Sequence, residues 1–147
     1  MQPPAISVAE LTRRLGAEFP HLFTADGGYV IEELWHGGAR VRRRFHQTML
    51  RPGGTPSGTS MMELADLSMY AGLLASIGWV PLAVTTNLNI NFLRKPAQLD
   101  LLAEARLLKL GKRLAVGDIK IHSDGVDGMV AHATATYSIP KTGGQVA

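Results

Sequence analysis

The chain separates into segments of period near 3.6 and segments of period 2. Val8, Leu11, Leu15 and Phe19 recur at helical spacing. Ser7 stands where an N-cap belongs, with Glu10 three residues on. This predicts a short amphipathic helix over residues 8–19, ended by Pro20. Asp26-Gly27-Gly28 is a turn signal. Residues 29–35 and 40–50 read as two strands around a hairpin at His36-Gly37-Gly38. Residues 51–60, RPGGTPSGTS, form a glycine- and proline-rich loop. An apolar helix then starts at Thr59 or Ser60 and runs to residue 77.

Four more strands follow. Residues 83–93 alternate, placing Thr86, Leu88, Ile90 and Phe92 on one face and Thr85, Asn87, Asn89 and Asn91 on the other. Residues 99–110, 114–123 and 129–139 complete a four-strand meander, and a frayed tail is expected over 141–147. One apolar helix beside an antiparallel sheet must be wrapped by the sheet's apolar face. The expected class is α+β, with a six-stranded antiparallel sheet around a long central helix. This is the hotdog arrangement.

Bulk properties narrow the picture only a little. The 147 residues suit one domain, and 46% hydrophobic content supports a core. The net charge of +3 suits an anionic small molecule as well as it suits nucleic acid. No cysteine is present, which excludes disulfides and thiolate chemistry. Residues 1–20 carry Glu10, Arg13, Arg14 and Glu18 and no long apolar run, so the default expectation is a cytoplasmic protein. Residues 64–84 are long enough for a membrane span and carry only Asp66 as a charge. Glu63, Gly72, Gly78 and Pro81 argue for a core helix instead.

Asp66 is the most informative residue. A carboxylate on an apolar helix is costly to bury unless something uses it. The bland alternative is a carboxylate satisfied by backbone donors or a basic residue. The preceding loop adds Gly53, Gly54 and Gly58, whose backbone allows close approach at a helix N-terminus. An N–H there stabilises an oxyanion, and a carboxylate activates water or attacks a carbonyl. Together they are the minimum equipment for hydrolysing a thioester. Eight residues separate Gly58 from Asp66, roughly 12 Å at about 1.5 Å per residue of helix. If both act on one carbonyl, they come from two subunits. A homodimer or homotetramer is therefore expected.

Here the chain resembles the PaaI-type thioesterases of the hotdog superfamily. Their pattern is loosely N-x-x-G-x-x-H-G-G, followed seven residues later by the acid of L-A-D. Gly54, Gly58, Leu64, Ala65 and Asp66 match it. The segments TTNLNINFLRKPA, LLKLGKRLAVGDIKI and ATATYSIP look like the family's later strands. The resemblance spans about residues 29–140. It implies acyl-CoA hydrolysis by Asp66, with the Gly58 N–H as oxyanion donor and Thr85 helping to hold the water. No cofactor is implied beyond the CoA of the substrate. Ser57 stands where the family has histidine and Arg51 where it has asparagine. Ser57 is expected to hydrogen-bond in the histidine's place, and Arg51 to pair with Asp66 or substrate. For CoA, the candidates are Gly54 and Thr59 in the loop, and Arg94, Lys95, Lys112 and Arg113 for its phosphates.

Other features carry less. Arg40, Arg42, Arg43 and Arg44 form a basic run without an aromatic stacking platform, so no nucleic-acid partner is expected. His21, His36, His46, His122 and His132 lack metal-ligand spacing, and no metal site is expected. His46 and His132 are placed in strands. Glu63 reads as a surface or interface residue. A hotdog hydratase would want a histidine near the acid, and none occurs between His46 and His122. The competing function is a non-catalytic module that binds acyl-CoA or lipid.

Overall fold

The structure is a computed structural model that describes residues 2–24 and 28–141. Asp26 and Gly27 of the expected turn, and residues 142–147 of the expected tail, lie outside the described residues. The order is helix α1 (Val8–Glu18), strands β1 (Tyr29–Trp35) and β2 (Gly38–Arg43), a 3₁₀ turn (Gln47–Met49) and short strands β3 (Leu50–Arg51) and β4 (Thr55–Pro56). Helix α2 (Gly58–Ile77) follows, then β5 (Val84–Phe92), β6 (Leu101–Leu110), β7 (Leu114–Ser123) and β8 (Ala131–Ser138). Six strands form one antiparallel sheet in the order β1-β2-β6-β7-β8-β5. The fold is the expected α+β hotdog, with α2 packed on that sheet.

Helix α2 is apolar on almost every side, and 13 of its 20 residues are buried. The sheet meets it with small side chains. Ala39, Ala103, Ala105, Ala115, Ala133 and Ala135 are buried, and Gly117 lies against Met69. Small residues let the helix approach closely, and the interior is then close-packed. After the half-covered Gly58, the α2 positions its own chain leaves uncovered or half-covered in the first turns are Thr59, Met62, Glu63 and Asp66. Their spacing of 3, 4 and 7 places them on one stripe. No described helix is long and apolar enough to cross a membrane.

Five expectations need correction. The second strand stops at Arg43 rather than Leu50. There the Phe45 N–H turns to Asp100 Oδ1 at 2.7 Å, leaving the ladder. His46 is not in a strand; its Nδ1 accepts from the Thr48 N–H at 3.1 Å and caps the 3₁₀ turn. The 51–60 loop contains the β3–β4 ribbon, and α2 begins at Gly58 because Ser57 caps it. The last four strands are not a simple meander. Strand β5 lies at the sheet edge beside β8, and β6 pairs with β2.

The fifth correction concerns the faces of β5. Its register with β8 shifts between Thr85 and Asn87. Thr85 opposes Tyr137, and Leu88 opposes Ala135, both inward residues of β8. A bulge inserts one residue and reverses the alternation beyond it. Thr85 thus shares the helix-facing side with Leu88 and Ile90, not the outer side with the asparagines.

Candidate active site

Asp66 projects from the third turn of α2 and is half-buried. Its Oδ1 accepts two hydrogen bonds. Thr85 Oγ1 donates at 2.6 Å and Tyr137 Oη at 2.7 Å. The Tyr137 hydroxyl also lies 3.2 Å from the Asp66 carbonyl oxygen. Oδ2 has no hydrogen-bond partner among the described residues. Nor does any Lys or Arg there pair with Asp66. The carboxylate is thus held by hydroxyls on one oxygen and open on the other. Neither backbone donors nor a basic residue satisfy it.

Tyr137 ends the inward row Ala131, Ala133, Ala135 of β8. Its ring stacks on Tyr70, with centroids 5.8 Å apart and planes at 21°. The Tyr70 hydroxyl donates to the Pro81 carbonyl at 2.9 Å. Burial, and then the Asp66 charge, push the Tyr137 phenol well above the usual tyrosine range. Burial likewise pushes Tyr70 up to about 12. Tyr137 carried no weight in the sequence reading. Its inward parity was available, but its partner lies 71 residues away.

The helix N-terminus is built from the loop. Gly53 and Gly54 take left-handed φ of 101° and 80°, which tighten the turn closed by Gly54 N–H to Arg51 O at 3.0 Å. The Gly54 carbonyl accepts from Gln98 Nε2 at 2.7 Å. Ser57 is the N-cap: its Oγ accepts from the Ser60 N–H at 3.2 Å and lies 3.0 Å from the Thr59 hydroxyl. The Gly58 N–H has no acceptor among the described residues. It is one of the unpaired donors every helix start leaves. A Cβ at Gly58 would lie 3.0 Å from the Phe92 ring, so that ring packs directly over this position.

A pocket of about 400 Å³ opens beside Gly58. Met61 and Phe92 line it, with Arg51, Arg94 and Lys95 as its cations. Arg51 therefore stands with the predicted phosphate-binding pair and not beside Asp66. Lys112 does not join them. It lines a second pocket of about 520 Å³ with Trp79, Leu82, Ile139 and Lys141. Arg113 next to it is exposed. Within one chain, the two predicted cation pairs belong to different places.

The remaining polar groups near α2 are structural. Glu63 accepts from the Tyr29 hydroxyl at 2.8 Å and from Arg43 Nη1 at 2.8 Å. Arg42 binds Glu32 at 2.6 Å, Asp124 at 2.8 Å and Asp100 at 3.0 Å. Arg40 lies 3.5 Å from Glu32. Carboxylates therefore answer three arginines of the basic run. His132 pairs with Asp118 at 3.1 Å on the sheet's outer side. No group of three metal-binding side chains exists among the described residues.

Residues 53–130 match the thioesterase superfamily. A candidate esterase of Saccharolobus solfataricus is 32% identical over 138 residues, spanning 92% of this chain and 87% of its own length. The crystal structure of a candidate thioesterase from a Silicibacter species superposes with a TM-score of 0.84 at 46% identity, over 93% of this chain and 94% of the other. A variant of the phenylacetic acid degradation protein PaaI from Thermus thermophilus superposes with a TM-score of 0.70 at 24% identity, over 80% and 98%. That last likeness speaks for the fold alone.

Proposed function

The chain belongs to the thioesterase superfamily, and from that membership we propose that it hydrolyses an acyl-CoA thioester to the free acid and CoA. Asp66 is the catalytic carboxylate. Acting as base, its free oxygen takes a proton from water, and the resulting hydroxide adds to the thioester carbon. Acting as nucleophile, the same oxygen adds directly and water releases the acid afterwards. In either case the carbonyl oxygen becomes an oxyanion, which the Gly58 N–H receives. The C–S bond then breaks and CoA leaves as the thiol after taking up a proton. The single observation carrying this reading is the open Oδ2 of Asp66 beside a fully bonded Oδ1.

The site is composite. Helix α2 is unbroken from Gly58 to Asp66, so the separation of roughly 12 Å at about 1.5 Å per residue stands. Gly58 of one subunit therefore serves Asp66 of another, in a homodimer or a tetramer of such dimers. The uncovered stripe of α2 and the edge position of β5 support this assembly. Arg51, Arg94 and Lys95 around the Gly58 pocket suit the phosphates of CoA. Placement nearer the PaaI type rests on the Gly54, Gly58 and Leu64-Ala65-Asp66 pattern.

One observation favours a second reading. Ser57 replaces the family's histidine and its hydroxyl is committed to the cap. A non-catalytic acyl-CoA-binding module would share that feature. The test is a panel of aryl, short, medium and long acyl-CoAs with a free-thiol readout. Hydrolysis predicts thiol release with at least one ester, abolished in Asp66→Asn with binding retained. Saturable binding without thiol release across the panel selects the binding module. Near-normal kcat in Asp66→Asn removes Asp66 from the mechanism.

A further inference from the structure

We infer that Tyr137 is a positioning residue, which with Thr85 fixes Oδ1 of Asp66 and thereby selects Oδ2 as the reacting oxygen. The inference rests on the reading of Asp66 just given. Tyr137 lies outside residues 53–130, the span matched to the superfamily.

Three observations carry it. The first is the pair of hydrogen bonds to one oxygen. Donors at 2.6 and 2.7 Å both meet Oδ1, and none among the described residues meets Oδ2. Tilting the carboxylate out of its present plane would break both contacts at once, and a half-turn only exchanges its two equivalent oxygens, so one oxygen is always held and the other free. The reacting oxygen is therefore assigned before substrate arrives, which is how an enzyme lowers the cost of orientation.

The second is the support of Tyr137 itself. Its ring stacks on Tyr70, four residues after Asp66 on the same helix. Tyr70 is in turn tied to the Pro81 carbonyl at 2.9 Å. The hydroxyl also lies 3.2 Å from the Asp66 carbonyl oxygen, so it sits against the helix backbone. Its aim cannot drift without unstacking the ring.

The third is the protonation of the phenol. Burial and the neighbouring Asp66 charge hold the Tyr137 pKa well above the ordinary value. The phenol keeps its proton through neutral pH and so has a hydrogen to give to the carboxylate. At 3% exposure, Tyr137 spends that donor on the carboxylate.

The test compares wild type, Tyr137→Phe, Asp66→Asn and a protein with 3-fluorotyrosine at position 137. Each is measured on the best acyl-CoA of the panel, with circular dichroism to check folding. Tyr137→Phe keeps the stacked ring and removes only the hydroxyl. Its kcat should fall about tenfold, as for losing one hydrogen bond to a charged group. KM should stay within about twofold, because ground-state binding is untouched. The acidic limb of the kcat/KM profile should move to higher pH, since a donor to the charged form is gone. Fluorotyrosine is a more acidic donor of nearly the same shape, and should move that limb the opposite way. If Tyr137→Phe does not fold, the fluorotyrosine protein decides alone. Should both keep the wild-type kcat and limb while Asp66→Asn is inactive, Tyr137 only packs and the inference is overturned. An active Asp66→Asn protein instead overturns the Asp66 reading, and this inference with it.

Discussion

Sharing of the site between chains can be tested by restoring activity from two dead variants. Gly58→Pro is the first. Gly58 is the first residue of α2, the position where proline is best tolerated in a helix. Ser57 has φ −78° and ψ 158°, the extended conformation required before proline. The Gly58 N–H bonds to nothing among the described residues, so no intrachain hydrogen bond is lost. Only the Phe92 ring must move, since a Cβ would lie 3.0 Å from it, and Phe92 is 49% exposed. The variant should fold and lose the oxyanion donor, which costs about 10²–10³-fold in kcat. Asp66→Asn is the second variant and removes the carboxylate. Alone, each gives a homodimer with two damaged sites. In a mixed dimer, the Asp66→Asn chain supplies an intact Gly58 to the other chain's intact Asp66. The opposite site carries both defects. Equal random mixing makes half the dimers mixed, with one good site in two, so about one quarter of wild-type activity returns in a closed two-fold dimer. The assay is thiol release after co-refolding, with native mass spectrometry to count mixed dimers. If mixed dimers form and activity stays at the sum of the two residual rates, Gly58 and Asp66 do not share one carbonyl across the interface. The composite site would then be wrong.

Two further predictions concern the frame around the site. Gly117→Ala would place a Cβ 2.6 Å from Met69 Sδ and 2.9 Å from the Arg106 carbonyl. It should destabilise the fold by about 1–3 kcal/mol as an overpacked core, and an unchanged urea midpoint would contradict that close approach. Arg42→Met leaves Glu32, Asp100 and Asp124 facing one another without their shared cation. The Arg42 side chain keeps 22% exposure, so the loss should be about 2 kcal/mol, below that for a fully buried pair; a urea value under about 0.5 kcal/mol would make the cluster a solvated surface feature.

Much of the frame was legible because its signals are local. The period of α1, the capping role of Ser7, the His36-Gly37 hairpin, the last residue of β6 and both ends of β7 follow from neighbours in the chain. The departures arise where distant groups compete. Strand β2 ends early because Asp100, 55 residues away, takes the Phe45 N–H. Strand β5 goes to the edge because its partner is β8, which no alternation within β5 encodes. The site shows the same division. Asp66 and Gly58 stood out as a charge on an apolar helix and a glycine at its start. Of the hydroxyls around Asp66, Thr85 was named only through the family resemblance and Tyr137 not at all, and the reason is one residue of register. Unbroken alternation sends Thr85 to the side of Asn87, Asn89 and Asn91, away from the helix. The bulge between Thr85 and Asn87 brings it back opposite Tyr137, and both hydroxyls then reach the same carboxylate oxygen. Without that extra residue Asp66 would keep at most one of its two donors. The bulge therefore brings both hydroxyls to one oxygen and, under the role proposed for Asp66, leaves the other free to react.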